Sequence, residues 1–160
     1  MAGGVRFSNP ATLEKPPGYT QVVEITGPAR IVYIAGQLGV DQNGKFVGAP
    51  GDFEAQCRRA FENLRAALRS IGADFSDVVK IMNFLVGMEN MSKFRTVRDE
   101  FLNKAAPPAS TTIGVPALAR PGGLFEIEAI VALPPARKAR RAPAARGGAR
   151  KRKAVKRSRR

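Results

Sequence analysis

The chain has 160 residues, of which 27 are Lys or Arg, 13 are Asp or Glu, one is Cys and none is His. Without histidine, the usual Cys/His zinc sites and every Ser-His-Asp or Cys-His catalytic arrangement are excluded, so no metal is expected, and a lone cysteine excludes an internal disulfide framework. The charge is concentrated at one end: from Arg137 onward there are 13 basic residues and no acidic one, whereas residues 1–134 hold 14 basic and 13 acidic residues.

Residues 1–134 are therefore expected to form one nearly neutral folded domain around a single core. Residues 135–160 contain no Leu, Ile or Phe and one Val, too little apolar surface to offset conformational entropy, which predicts a disordered polybasic tail. The absence of a long apolar run or a leader-like start predicts a soluble, cytoplasmic protein with no membrane insertion. Any catalysis must use carboxylates, hydroxyls, Lys, Arg, backbone dipoles and water.

In chain order, residues 21–25 (QVVEI) and 30–35 (RIVYIA) are rich in β-branched and aromatic residues around a Thr26-Gly27-Pro28 turn signal, and read as a hairpin. Asn43-Gly44 marks a tight turn inside a Gly/Pro-rich loop. From Asp52 the period changes: Phe53, Cys57, Phe61, Leu64, Leu68 and Ile71 recur at spacings of three and four, which predicts an amphipathic helix with Asp52 as N-cap and Gly72 just past its end. Residues 78–86 (VVKIMNFLV) form a nearly continuous apolar run expected to be a strand buried on both sides. A second helix is expected from about Asn90 or Ser92, with Phe94, Val97 and Phe101 inward, ending before Pro107-Pro108. Residues 110–115 and 124–133 read as closing strands around Pro121-Gly122-Gly123. This order predicts an α+β domain, a mixed β-sheet with two helices on one face. The uncovered face should expose apolar side chains from residues 78–86 and 127–131, and so predicts a homo-oligomer.

Three local patterns carry possible chemistry. Residues 39–45 (GVDQNGK) match the start of a phosphate-binding loop, but Phe46 stands where Mg²⁺ binding needs Ser or Thr and a turn follows instead of a helix, so no nucleotide site is assigned. Cys57 on the apolar helix face reads as a small buried hydrophobe. Glu126 and Glu128 alternate with Phe125, Ile127 and Ala129, placing both carboxylates on one strand face, either as an acid/base pair or as a solvated face. In the tail, Arg140, Arg141, Arg150, Lys151, Arg152 and Lys153 are interspersed with Ala, Pro and Gly and no aromatic residue. That composition suits phosphate backbones without base reading, making nucleic acid the leading partner, with another polyanion or plain solvation as alternatives.

Four segments in register, residues 34–38 (IAGQL), 78–80 (VVK), 107–109 (PPA) and 126–129 (EIEA), resemble the RidA (YjgF, endoribonuclease L-PSP) family over about residues 18–133. The resemblance implies a chorismate mutase-like subunit, a homotrimer with ligand clefts between subunits, and cofactor-free hydrolysis of reactive enamines and imines such as 2-aminoacrylate. It also implies that Tyr19 closes the cleft mouth, that the Gly36 backbone meets the ligand, and that Glu126 positions the attacking water. In the family's deaminases, Pro-Ala is followed by an Arg that clamps the substrate carboxylate. Here Ser110 stands at that place, followed by Thr111, so loss of the bidentate grip predicts poor turnover of 2-aminoacrylate. Arg98 and Arg120 are the candidates for a relocated cation, with solvent exposure expected for both.

Two readings follow: a RidA-type trimer that binds, with or without hydrolysing, a small metabolite recognised without that clamp, or a non-catalytic trimeric scaffold anchored to nucleic acid by its tails. Endoribonuclease activity, without histidine, is the least favoured.

Overall fold

The computed structural model describes residues 4–135; residues 136–160, on which the tail readings fall, lie outside the described residues. Six strands and two helices follow one another as β1 (Gly4–Ser8), β2 (Val22–Thr26), β3 (Arg30–Leu38), α1 (Phe53–Ser70), β4 (Val78–Val86), α2 (Met91–Phe101), β5 (Ala109–Val115) and β6 (Phe125–Leu133).

Helix α1 carries the end signals its sequence predicts. Asp52 Oδ1 accepts the Ala55 N–H at 3.0 Å, relieving one of the unpaired donors of the first turn of α1. Beyond its last turn, Gly72 adopts a left-handed conformation that lets Gly72 and Ala73 N–H reach the Arg69 and Leu68 carbonyls at 3.1 and 3.0 Å, a Schellman closure. Phe53, Cys57, Ala60, Phe61, Leu64 and Leu68 form the buried stripe of α1. Helix α2 has Asn90 at its N-cap position, without a side-chain cap bond, and buries Phe94, Val97 and Arg98.

The main sheet has the order β3-β6-β4-β5. Strands β4 and β5 are parallel, as the intervening α2 crossover requires, and the other pairs are antiparallel. The hairpin expected from residues 21–25 and 30–35 does not form. Strand β2 instead pairs with β1, from Gly4↔Thr26 to Ser8↔Val22, in a separate two-stranded sheet. The partner of β3 is β6, nearly a hundred positions away in the chain. A turn signal reports only where the chain changes direction; which edge each strand meets depends on the long-range burial of β6.

Both helices pack on one face of the sheet, where Ile81, Leu85, Phe125, Ile127 and Val131 are fully buried. At the centre, Phe61 stacks on Phe101 and Phe125 with ring centroids 4.9 and 5.9 Å away. The expectation for the other face requires correction. Ile127, Ala129 and Val131 face the helices, while β6 presents Glu126, Glu128 and Ile130 to the open side, beside Lys80, Met82, Phe84 and Val86 of β4. Strand β4 is therefore buried on one side and half-covered on the other, because its alternate residues point to opposite faces. Ile31, Tyr33 and Ile113 are exposed as well, Tyr33 to 77%.

Candidate functional site

Strand β5 and helix α2 frame a cavity of about 220 Å³, lined among others by Tyr19, Phe94, Arg95, Arg98, Ser110 and Thr112, with no carboxylate in its wall. Tyr19 reaches it because the preceding loop is tied to the start of β5. Thr20, 3% exposed, donates its N–H to the Pro108 carbonyl at 3.1 Å and its hydroxyl to the Pro107 carbonyl at 2.5 Å.

Ser110 and Thr112 sit on the helix-facing side of β5, next to Asn83 of β4. Asn83 is fully buried, and its Nδ2 lies 3.1 Å from Ser110 Oγ, 3.1 Å from the Thr111 carbonyl and 3.3 Å from Thr112 Oγ1. A carbonyl can only accept, so the Thr111 contact settles which end of the amide faces β5. Its other end, Asn83 Oδ1, is buried without a hydrogen-bond partner among the described residues. Thr111 alternates to the open face, where its hydroxyl accepts from Lys80 Nζ at 2.5 Å. Burial lowers the pKa of Lys80 below the usual lysine value.

Arg98, expected in solvent, is buried: its side chain is 8% exposed. Its Nε and Nη2 donate to Asp99 Oδ1 at 2.9 and 2.7 Å, and its guanidinium carbon lies 5.8 Å from the Phe94 ring centre. The guanidinium lies so close to Gly18 that a Cβ there would sit 2.3 Å from Nη2. The α2 stripe of Phe94 and Val97 carries Arg98 into the core edge, and the bare Gly18 backbone makes room for it. Arg120 is exposed as expected, donates to the Gly44 carbonyl and lies over Phe46; it does not line the cavity.

Glu126 and Gly36 meet on the opposite face of the sheet. Register places Glu126 between Phe84 of β4 and Leu38 of β3, and the β3 ladder is interrupted between Ile34 and Gln37. Within that irregularity, Gly36 approaches Glu126 so closely that a Cβ would lie 1.7 Å from Oε1. One subunit thus brings Tyr19, Arg98 and Ser110 together on the helix side, and Glu126 and Gly36 together on the other. It does not bring the two groups to each other.

Sequence reasoning passed over Arg95, Thr112 and Asn83. For Asn83 a signal existed: it is the one amide in the apolar run of residues 78–86, and a polar group in a buried strand must be satisfied by something. Arg95 and Thr112 carry no such mark. Two motifs set aside earlier take their places as read: residues 39–46 form a turn in which Asp41 Oδ1 accepts the Asn43 and Lys45 N–H at 2.9 and 2.8 Å, and Cys57 is buried, its thiol pKa pushed far up by desolvation.

An α+β subunit with a mixed sheet, helices on one face and an open face bearing a carboxylate defines a class that other proteins share. The endoribonuclease L-PSP family model matches residues 11–133, and the chain belongs to that family, the RidA (YjgF) family. Protein DfrA of Myxococcus xanthus is 35% identical over 112 residues, 70% of this chain and 82% of that protein. A 2-iminobutanoate/2-iminopropanoate deaminase of Dermatophagoides farinae is 34% identical over 116 residues, covering 72% of this chain and 85% of its own length. Among solved structures, the Rid family protein of unknown function YyfB from Yersinia pestis superposes with a TM-score of 0.70 at 34% identity, over 81% of this chain and 98% of that one. Among the described residues no helix is long and apolar enough to cross a membrane.

Proposed function

We propose that this protein is a cofactor-independent imine hydrolase, acting on a small metabolite in clefts between the subunits of a homotrimer. The observation that carries the reading is the division of the candidate residues: Glu126 and Gly36 on one face of the sheet, Tyr19 and Ser110 on the other. A ligand that touches both sets needs two copies of the chain. The half-covered face of Met82, Phe84, Val86 and Ile130 offers apolar surface for such an assembly. The 34% identity to a 2-iminobutanoate/2-iminopropanoate deaminase supports the reaction class.

In this reading the Glu126 carboxylate takes a proton from a water as the water oxygen adds to the imine carbon. That proton passes to the imine nitrogen to give a carbinolamine; the carbinolamine hydroxyl proton then moves to the same nitrogen as the C–N bond breaks, so that ammonia leaves and a carbonyl product remains. Each turnover consumes one water and releases one ammonia, so no oxidant or cofactor enters.

The test combines light scattering with an assay of 2-iminopropanoate generated in situ. The expected results are a trimer and a hydrolysis rate that falls about 100-fold or more in Glu126→Gln, the usual scale for loss of a positioned acid/base group. A strict monomer, or a Glu126→Gln protein as active as the wild type, overturns the proposal.

A further inference from the structure

Tyr19 also lines a second cavity, of about 240 Å³, enclosed by the end of β1, the loop of residues 15–20 and the segment of residues 104–107 that leads into β5. Its wall carries Lys15 and Lys104 and no Asp or Glu. Hydrogen bonds hold its shape. Gly18 donates its N–H to the Pro16 carbonyl at 3.1 Å, Thr20 is tied to Pro107 and Pro108, and Asn9 Oδ1 accepts the Gln21 N–H at 2.8 Å. With Oδ1 so occupied, the other end of the Asn9 amide is a pure donor, and it donates to no protein group among the described residues while Asn9 lines the cavity.

The positive charge around this cavity is under-compensated. Arg98 takes Asp99 Oδ1 through two bonds, and Lys104 Nζ reaches only Oδ2 of the same carboxylate, at 3.7 Å, with its side chain 74% exposed. A surface pair of that kind contributes little. Lys15 enters no ion pair among the described residues. Behind the wall, the bare backbone of Gly18, at φ 86°, admits the buried Arg98 guanidinium to within 2.3 Å of where a Cβ would stand, and a buried charge is screened less than an exposed one. Three cations thus share one carboxylate; Glu14, next to Lys15 in the chain, is not in the wall.

Such a wall favours an anion, and its residue types distinguish which. A planar carboxylate is gripped best by a guanidinium fork, whereas lysine serves phosphate as a point charge, and no Arg lines this cavity. A phosphomonoester, whose second pKa is about 6, carries close to two negative charges at neutral pH, matching two ammonium groups. Phe7, Tyr19 and Pro107 add apolar surface beside them, and a volume below the roughly 300 Å³ at which drug-sized pockets begin limits the body of the ligand. We propose that this cavity binds a small phosphomonoester, its phosphate held by Lys15, Lys104 and the Asn9 amide and its organic body set against Phe7 and Tyr19. The site is separate from the helix-side cavity and does not depend on the proposed hydrolysis.

Proton–nitrogen NMR spectra of the full chain at about 0.15 M salt locate the binding, with phenyl phosphate, inorganic phosphate and benzoate titrated separately. Phenyl phosphate is expected to move the Gly18, Thr20 and Ala105 amide signals in one saturable step. Inorganic phosphate, without an apolar body, should bind at least threefold more weakly, and benzoate at least tenfold more weakly. Lys104→Gln should weaken phenyl phosphate threefold to tenfold and Lys15→Gln/Lys104→Gln tenfold or more, the scale of lost charge-assisted bonds at an exposed site. Both lysines are exposed, so unchanged signals from the α1 core identify a folded variant. Shifts confined to residues 136–160, shifts led by Ser110 and Thr112, undiminished binding by the double variant, or benzoate equalling phenyl phosphate would each overturn the inference. Inorganic phosphate binding as tightly as phenyl phosphate overturns the assignment to an ester.

Discussion

Replacing Gly36 by Ala tests the role of Glu126 without touching the carboxylate itself. The added methyl would lie 1.7 Å from Glu126 Oε1 and 2.7 Å from its Cδ, against the 3.4 Å at which ordinary contact begins. The far end of a flexible side chain yields before backbone does, so the carboxylate must swing aside by more than 1 Å. A misplacement of that size costs a reaction roughly 100-fold. Gly36 is not among the glycines with positive φ, so Ala adds no backbone strain, and its smaller unfolded-state entropy offsets part of any crowding, leaving stability within about 1 kcal/mol. The expectation is a roughly 100-fold fall in kcat for 2-iminopropanoate, a nearly unchanged melting temperature, and a Gly36→Ala/Glu126→Gln double variant no worse than the poorer single one, as for residues acting as a unit. Light scattering on the same samples separates a chemical effect from lost assembly. Gly36→Ala hydrolysing within threefold of the wild type would refute the placement of Glu126 at the reacting centre.

Phe61 is fully buried among Phe75, Phe101 and Phe125, so Phe61→Ala should lower unfolding free energy by about 3–5 kcal/mol; a loss below about 1.5 kcal/mol in urea titration contradicts the described core. Asp74 accepts from the Ser76 hydroxyl and backbone N–H, which lower its pKa below the model-compound value. A carboxyl with a depressed folded pKa stabilises above its unfolded value of about 3.9 and loses that contribution as pH falls through the folded pKa. Wild-type stability should therefore drop more steeply than that of Asp74→Ala below about pH 4, and parallel acid curves would rule this out. Deleting residues 136–160, which contain 13 basic residues, should abolish a DNA mobility shift that in the full chain weakens steeply between 50 and 200 mM salt; an unchanged shift removes the nucleic-acid role of the tail.

Much of the architecture was legible from local pattern. The three-and-four spacing from Phe53, the Asp52 and Gly72 end signals and the apolar run of residues 78–86 correspond to α1 and β4, because a helix stripe or a buried strand leaves its period in the sequence. The alternation at Glu126 and Glu128 likewise placed both carboxylates on one face. Pairing was not legible: β2 joins β1 and β3 joins β6, and β1 itself, a short GVRFS segment, carries no strong strand signal.

The candidate site divides along the same line. The sequence alone determined that Ser and Thr stand at positions 110 and 111 and that Arg98 and Arg120 lie on either side of them in the chain, since residue identity and order are all it contains. Tertiary structure decided that Arg98 is buried at the Ser110 cavity while Arg120 is not, that the buried Asn83 amide lies against the Ser110 and Thr112 hydroxyls there, and that Glu126 lies across the sheet from them. The physical reason is that a side chain's address depends on register and on which helix face meets the core. Both are set by contacts between residues far apart in the chain, which no local period records.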